Sequence, residues 1–169
     1  MPEIIPIGWF HTGMGVIALF SGVFTLARFR EISLRTRSGQ VYLATTLITA
    51  CTAFAIFQRG EFGPGHVLAV MTLLALAVGT LAAIKKPFGK WSRYVQAVSY
   101  SATLLFHSLP AVTDGLLRLP PGDPILTSIE DPILRTCFLG LFVFFMVGIS
   151  FQLRWIHRQP EEESDGDQS

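Results

Sequence analysis

Five long apolar stretches, separated by shorter polar segments, run through the chain from near its start to near its end. A helix needs about 20 apolar residues to cross the roughly 30 Å of hydrocarbon in a bilayer. The second stretch is the shortest, at about 17 residues, which is the lower end of the usual range. The pattern predicts an all-α integral membrane bundle with five transmembrane helices, over residues 8–28, 41–57, 63–84, 95–113 and 133–155.

The segments between these helices are short, so we expect consecutive helices to be antiparallel neighbours. The longest one contains two Asp-Pro pairs, at residues 123–124 and 131–132. Asp is a good helix cap and proline is tolerated in a first turn, so each pair predicts a helix start. The second pair would begin the fifth helix, and the first would begin a short helix on the outer membrane surface.

Lysine and arginine side chains are divided unequally between the two sides of this bundle. Cytoplasmic loops carry an excess of these residues, which predicts an N-terminus outside and a C-terminus inside. Three basic residues fall on the outer side, namely Arg59, Arg118 and Arg135. Ten fall on the inner side, namely Arg28, Arg30, Arg35, Arg37, Lys85, Lys86, Lys90, Arg93, Arg154 and Arg158.

Composition agrees with a membrane protein whose main partner is the lipid bilayer. Hydrophobic residues make up 50% of the chain and charged ones 15%. The net charge of +1 gives no broad basic field for binding nucleic acid. The five stretches occupy most of the chain, so we expect one transmembrane domain over residues 1–157. Residues 158–169 are polar and acidic, which predicts a disordered cytoplasmic tail.

Three of the four histidines, His11, His66 and His107, fall in the outer half of three different predicted helices. An ionisable side chain at membrane depth is costly, and it is therefore a functional-site hypothesis by default. The fourth predicted helix also carries a continuous polar face. The alternative for that face is a structural hydrogen-bonded seam between helices. Its members recur at helical spacing, namely Gln96, Tyr100, Thr103, His107 and Asp114.

The first predicted helix places small residues on the same face as its histidine. Small residues allow close approach of either a neighbouring backbone or a flat ligand, so both interpretations stay open. Threonines on one face of the second helix commonly bond their own backbone and indicate packing. The two sets are His11, Gly15, Ala18 and Gly22, and Thr45, Thr49 and Thr52.

Binding of a b-type haem is the first functional hypothesis. Haem iron takes two axial imidazoles from facing helices of a bundle, and His66 with His107 on neighbouring helices is the preferred pair. His11 would be an alternative ligand or a supporting group, and Tyr100 lies on the cofactor face. Arg118 or Arg135 would pair with the haem propionates. Such a protein would pass electrons near the outer face, with a quinone or another membrane redox partner.

Two alternatives belong to other classes. The three histidines with Asp114 or Glu61 would suit zinc or copper, and zinc with an open position would imply a hydrolase at the membrane surface. The third hypothesis is non-enzymatic: the same groups would bind a small solute or protons in a transporter, or support a partner subunit. Fingerprints of serine hydrolases, Walker nucleotide sites and dinucleotide sites are absent from the sequence.

Several motifs together resemble a bacterial family of small multi-pass membrane proteins with a domain of unknown function. They are His11-x-x-x-Gly15-x-x-Ala18-Leu19-x-x-Gly22, Arg37-Ser38-Gly39-Gln40-Val41-Tyr42, Gly65-His66 and the later His107. The resemblance extends to about Trp155, and it implies a multi-pass protein of the bacterial inner membrane. Members carry a histidine before the Arg-Ser-Gly segment, which this chain lacks in Leu34-Arg35-Thr36-Arg37. Histidines on adjacent helices are also similar to four-helix b-type cytochromes, and this likeness ranks haem ahead of metal.

Overall fold

The computed structural model describes residues 6–56 and 63–159, and it confirms an all-α fold. No strand occurs within these two ranges. The acidic tail beyond residue 159 and the residues 57–62, with Arg59 and Glu61, lie outside them. The five helices are α1 Pro6–Phe29, α2 Arg37–Ala53, α3 Pro64–Lys85, α4 Ser92–Arg118 and α5 Pro132–His157, with a 3₁₀ turn Gly89–Trp91 before α4.

Helix α2 begins at Arg37 rather than at residue 41, because Thr36 caps it. The Thr36 hydroxyl accepts a hydrogen bond of 3.2 Å from the backbone N–H of Gly39. This capping satisfies one of the backbone donors that a helix start leaves unpaired. The helix ends at Ala53, before the predicted end of the apolar stretch. Hydrophobicity alone therefore placed the second helix too late in the chain.

The two Asp-Pro pairs behave differently. Asp131 caps α5 as predicted, since its carboxylate accepts a hydrogen bond of 2.8 Å from the Ile133 N–H. The short surface helix predicted to begin at the first pair is wrong, because residues 123–130 contain no helix. Leu126 is buried there, and its N–H donates to the Leu116 carbonyl at 2.9 Å. This anchoring ties the loop to the end of α4 in an irregular conformation.

Helix α4 lies at the centre of the arrangement. The helix pairs α1 with α2, α2 with α3, and α3 with α4 pack as consecutive antiparallel neighbours, and α1 also contacts α4. Helix α5 packs on α4 and stands outside this group of four. Because α4 is in contact with α1, α3 and α5, its polar face lies inside protein rather than in lipid. This position allows α4 to be more polar than the other helices.

Two tyrosines in the core pack against glycines of the neighbouring helix. The Tyr42 ring of α2 covers Gly22 of α1, and a Cβ added to Gly22 would lie 2.7 Å from that ring. The Tyr100 ring of α4 covers Gly79 of α3 at the same 2.7 Å. Both tyrosines are fully buried. Gly22 of α1 therefore serves close helix packing, which is the first of the two interpretations of that face.

The outward surface of the bundle is strongly apolar. Helices α1, α3 and α5 are each long and apolar enough to cross a membrane. Large hydrophobic side chains on them are exposed, including Phe20 at 75% and Phe144 at 78%. Such a surface requires an apolar solvent, so the chain is a membrane protein.

The loop between α1 and α2 folds onto one end of the bundle. Ile32 in this loop is fully buried, and its carbonyl accepts a hydrogen bond of 3.0 Å from the Gln96 side chain of α4. The Arg30 carbonyl accepts one of 2.9 Å from Gln152 of α5. These contacts close the end of the bundle opposite to the three histidines. They also connect α5 to the loop between α1 and α2.

Candidate functional site around the outer histidines

The three histidines share one end of the bundle but do not meet at one point. His11 lies in the second turn of α1, His66 in the first turn of α3, and His107 well inside α4. Because these helices alternate in direction, all three positions fall toward the same end. Within residues 6–56 and 63–159, no three histidine, cysteine or acidic side chains converge as metal ligands. A three-histidine metal centre is therefore not assembled in this arrangement.

His11 is half-buried, and its hydrogen bond fixes which ring nitrogen carries the proton. Its Nδ1 lies 3.0 Å from the Thr52 hydroxyl of α2. That hydroxyl donates its only hydrogen to carbonyls of its own helix, those of Ile48 at 2.9 Å and Thr49 at 3.0 Å. A Thr52 hydroxyl that donates to either carbonyl accepts from the His11 Nδ1–H. In that neutral tautomer the lone pair is on Nε2.

His66 is buried, and it serves as a cap of α3. Its Nδ1 accepts a hydrogen bond of 3.1 Å from the backbone N–H of Gly63. Its ring also lies against that of Phe54, with a centroid separation of 6.2 Å. Because Nδ1 accepts, the neutral ring carries its proton on Nε2. An axial haem ligand needs the opposite tautomer, so His66 would have to give up the cap to bind iron through Nε2.

The packing of α3 on α4 sets the depth of His66 relative to His107. Gly79 faces Tyr100, and the Thr80 hydroxyl lies 3.0 Å from the Tyr100 hydroxyl. In an antiparallel pair this register puts His66 level with Thr113. His107 then lies about 9 Å deeper, at 1.5 Å per residue. The preferred haem pair is thus displaced along the bundle axis, and nothing in this register brings the two rings face to face.

His107 is the deepest of the three, and its ring is incompletely satisfied. Only 8% of the residue is exposed. Its Nε2 is buried and has no hydrogen-bond partner among the residues that the structure describes. His11 is near enough for an electrostatic interaction with His107, and Asp114 is near enough to interact with His11. The structure therefore brings His11, His107 and Asp114 into one neighbourhood.

The inner part of the polar face on α4 is a structural seam. The Thr103 hydroxyl lies 2.5 Å from the Tyr42 hydroxyl, and Tyr100 bonds Thr80 as described above. Gln96 is used at the inner end by its bond to the first loop. Tyr100, predicted to touch a cofactor, therefore has its ring and hydroxyl engaged in helix packing. Of this face, only His107 keeps a buried polar atom without a partner in the described ranges.

The charged residues predicted to assist a cofactor lie at the surface. Arg118 and Asp114 form an ion pair within α4, with 3.4 Å between Nε and Oδ1 and both side chains about half exposed. Arg135 is exposed in the first turn of α5, which packs on α4 alone. Sequence reasoning missed Thr46, which is fully buried and whose hydroxyl has no partner in the described part of the chain. The sequence feature that could have identified Thr46 is its position one turn after Tyr42.

The residues present do not fit a haem between the helices as they stand. The small-residue face of α1, which would admit a macrocycle, is filled by Tyr42 at Gly22 and by the Thr49 methyl, 3.7 Å from a Cβ at Gly15. Two shallow grooves of the described surface run along α5 and beside Tyr94, and neither contains a histidine.

Comparisons with protein-family models, with curated proteins and with solved structures return no match. The resemblance to a family of small bacterial membrane proteins therefore stays a prediction.

Proposed function

We propose that the chain crosses the bacterial inner membrane five times, with its N-terminus outside and its C-terminus inside. Helices α1, α3 and α5 have the length and apolarity of spans. The helices are antiparallel neighbours, so a chain that crosses in α1, α3 and α5 has to return through α2 and α4. Helix α2 is the shortest at 17 residues, which gives about 25 Å of helix, slightly less than the hydrocarbon thickness.

The distribution of basic side chains supports this orientation. Most of the lysines and arginines lie in or next to the first loop, the third loop and the C-terminal end of α5. These three places form one end of the antiparallel array. The histidines lie toward the opposite end. With the basic end in the cytoplasm, the histidine site belongs to the outer half of the membrane.

We further propose that this outer site binds a small polar solute in a non-enzymatic role, as part of a transporter or an accessory subunit. The observation that carries the proposal is the buried, unpartnered Nε2 of His107. An unsatisfied polar group at membrane depth costs up to several kcal/mol, so a hydrogen-bonding ligand there is stabilising. His11 and Asp114 lie between His107 and the outer end and would line the approach.

A thermal-shift screen of small polar compounds on the detergent-purified protein tests this role. We expect at least one compound to raise the melting temperature of the wild type but not of His107→Gln. His66→Gln is the matched control, because His66 is a buried histidine with a capping role. A compound should still stabilise that variant. If every stabilising compound acts equally on His107→Gln, the proposed site is wrong.

Haem b or a metal ion is the second candidate, and the tautomer of His11 favours it. A ligand histidine commonly donates its other ring N–H to a fixed acceptor, as His11 does to Thr52. His11 and His107 would then hold a zinc or copper ion or a haem iron, and for haem α1 would have to separate from α2. A redox role would make a quinone or a membrane redox protein the partner.

A reduced-minus-oxidised absorbance spectrum with elemental analysis of the same sample tests the second candidate. The protein should be expressed with haem and metals supplied. We expect a stoichiometric cofactor that His107→Ala removes and His66→Ala retains. Full occupancy in His107→Ala would exclude His107 as a ligand, and a sample without haem or stoichiometric metal would eliminate the candidate.

A further inference from the structure

We propose that a water molecule, or the hydroxyl group of a bound solute, bridges Thr46 and His107 inside the bundle. This inference deepens the proposed function, because it names the inner wall of the ligand site and the class of group held there. Thr46 is fully buried and His107 is 8% exposed. The Oγ1 of Thr46 and the Nε2 of His107 both lack a hydrogen-bond partner in the described ranges.

The hydrogen bond between Tyr42 and Thr103 brings Thr46 and His107 to a similar depth in the bundle. It fixes α2 and α4, which run in the same direction, in one register. Thr46 follows Tyr42 by one turn, and His107 follows Thr103 by one turn. The Thr46 hydroxyl lies near the Tyr42 hydroxyl, outside hydrogen-bond geometry.

Thr46 departs from the usual behaviour of a threonine in a membrane helix. Thr45 and Thr49 on the same helix donate to carbonyls of their own backbone. The carbonyl of Tyr42, four residues before Thr46, accepts instead from Thr45 at 3.1 Å. The hydroxyl of Thr46 therefore makes no hydrogen bond to its own helix.

The bridging group has to be small and uncharged. Water or a hydroxyl both donates and accepts, so one such group satisfies a threonine hydroxyl and either tautomer of an imidazole. The buried polar side chains of the described residues include no lysine, arginine, aspartate or glutamate. A charged group at this depth would therefore lack a buried counter-charge, and its desolvation would be unfavourable.

Water-edited solid-state NMR on the full chain in bilayers tests the bridge. We expect magnetisation transfer from water to the His107 ring in the wild type, with a several-fold loss in Thr46→Val. Thr49→Val is the matched control, since it makes the same change one turn away, and it should keep the transfer. Thr46→Ser retains a hydroxyl and should keep it as well. No transfer to His107 in the wild type would overturn the proposal.

The melting temperature of Thr46→Val gives an independent test of the bridge. If the Thr46 hydroxyl truly had no partner, replacing it by the isosteric valine would raise the melting temperature, because a buried unpaired polar group would be removed. A bridge predicts a lower melting temperature, because His107 would lose its bonded water. A higher value for Thr46→Val contradicts the bridge. Water transfer at His107 without any compound that discriminates His107→Gln would retain the bridge and reject the solute-binding function.

Discussion

Replacing Gly22 by alanine should destabilise the bundle, although alanine is the better helix former. A Cβ at this position would lie 2.7 Å and 2.8 Å from two carbons of the Tyr42 ring and 3.0 Å from the Leu104 side chain. Carbon atoms normally pack at about 3.5–4.0 Å, so the ring would have to move by about 1 Å. Tyr42 is fully buried, and its hydroxyl is held by Thr103. The ring therefore cannot swing aside without breaking that bond.

Two opposing effects set the magnitude. Overpacking a buried site costs about 1–3 kcal/mol, whereas replacing a helical glycine by alanine gains up to about 1 kcal/mol. We expect Gly22→Ala to lower the free energy of unfolding by about 1–2 kcal/mol as the balance of these two effects. Gly13→Ala is the control on the same helix, because Gly13 is exposed and nothing lies within 4 Å of its added Cβ. That variant should be neutral or stabilised.

Equilibrium unfolding in mixed detergent–SDS micelles, followed by far-ultraviolet circular dichroism, measures both variants. A Gly22→Ala protein as stable as Gly13→Ala would refute the close packing of Tyr42 on α1. A double-mutant cycle adds a second check. In a Tyr42→Phe background the ring loses its hydroxyl bond and is freer to shift, so alanine at Gly22 should cost less there. An undiminished cost would show that the hydroxyl bond does not restrain the ring.

Gln152→Leu should lower the free energy of unfolding by about 1–3 kcal/mol, because it leaves the buried Ser101 hydroxyl and the partly buried Arg30 carbonyl unpaired. An exposed control, Gln159→Leu, should change little in the same SDS titration. His66→Ala should cost about 1 kcal/mol through loss of the helix cap, and a loss of ligand-dependent stabilisation in that variant would contradict the capping role. The topology is tested in a variant without its native cysteines, expressed in intact spheroplasts. We expect a membrane-impermeant thiol reagent to label Ser128→Cys but not Lys90→Cys. The reverse labelling pattern would show the opposite orientation.

The helices were predictable because each rests on a local property of the chain. Length and apolarity set α1, α3 and α5, and the Asp131-Pro132 pair marked the start of α5. Errors arose where a contact rather than composition decides. Because the Thr36 hydroxyl caps it, α2 begins earlier in the chain than hydropathy predicted. The burial of Leu126 holds the long loop in an irregular conformation. Neither contact is visible in hydropathy, because each depends on a single side chain.

The histidine site was less predictable, because helix rotation and register depend on packing. The sequence placed three histidines in the outer half, and the structure agrees on their common end. The sequence could not show that Gly79 packs against Tyr100, a contact that sets His107 deeper than His66. Nor could it show that the Nδ1 of His66 caps α3. Both features favour His11 with His107 over His66 with His107 as the pair for a candidate site.

The polar residues of α4 divide into two groups, and the division follows from where each one lies. Toward the inner end, Gln96 and Ser101 bond the first loop and α5, and Thr103 bonds α2. These bonds hold three elements to one central helix, which explains a polar α4 without any ligand. His107 continues the same face but lacks such a partner for Nε2 within the described residues. A purely structural seam would have ended at Thr103, so the histidine one turn beyond it is the residue that a binding role explains.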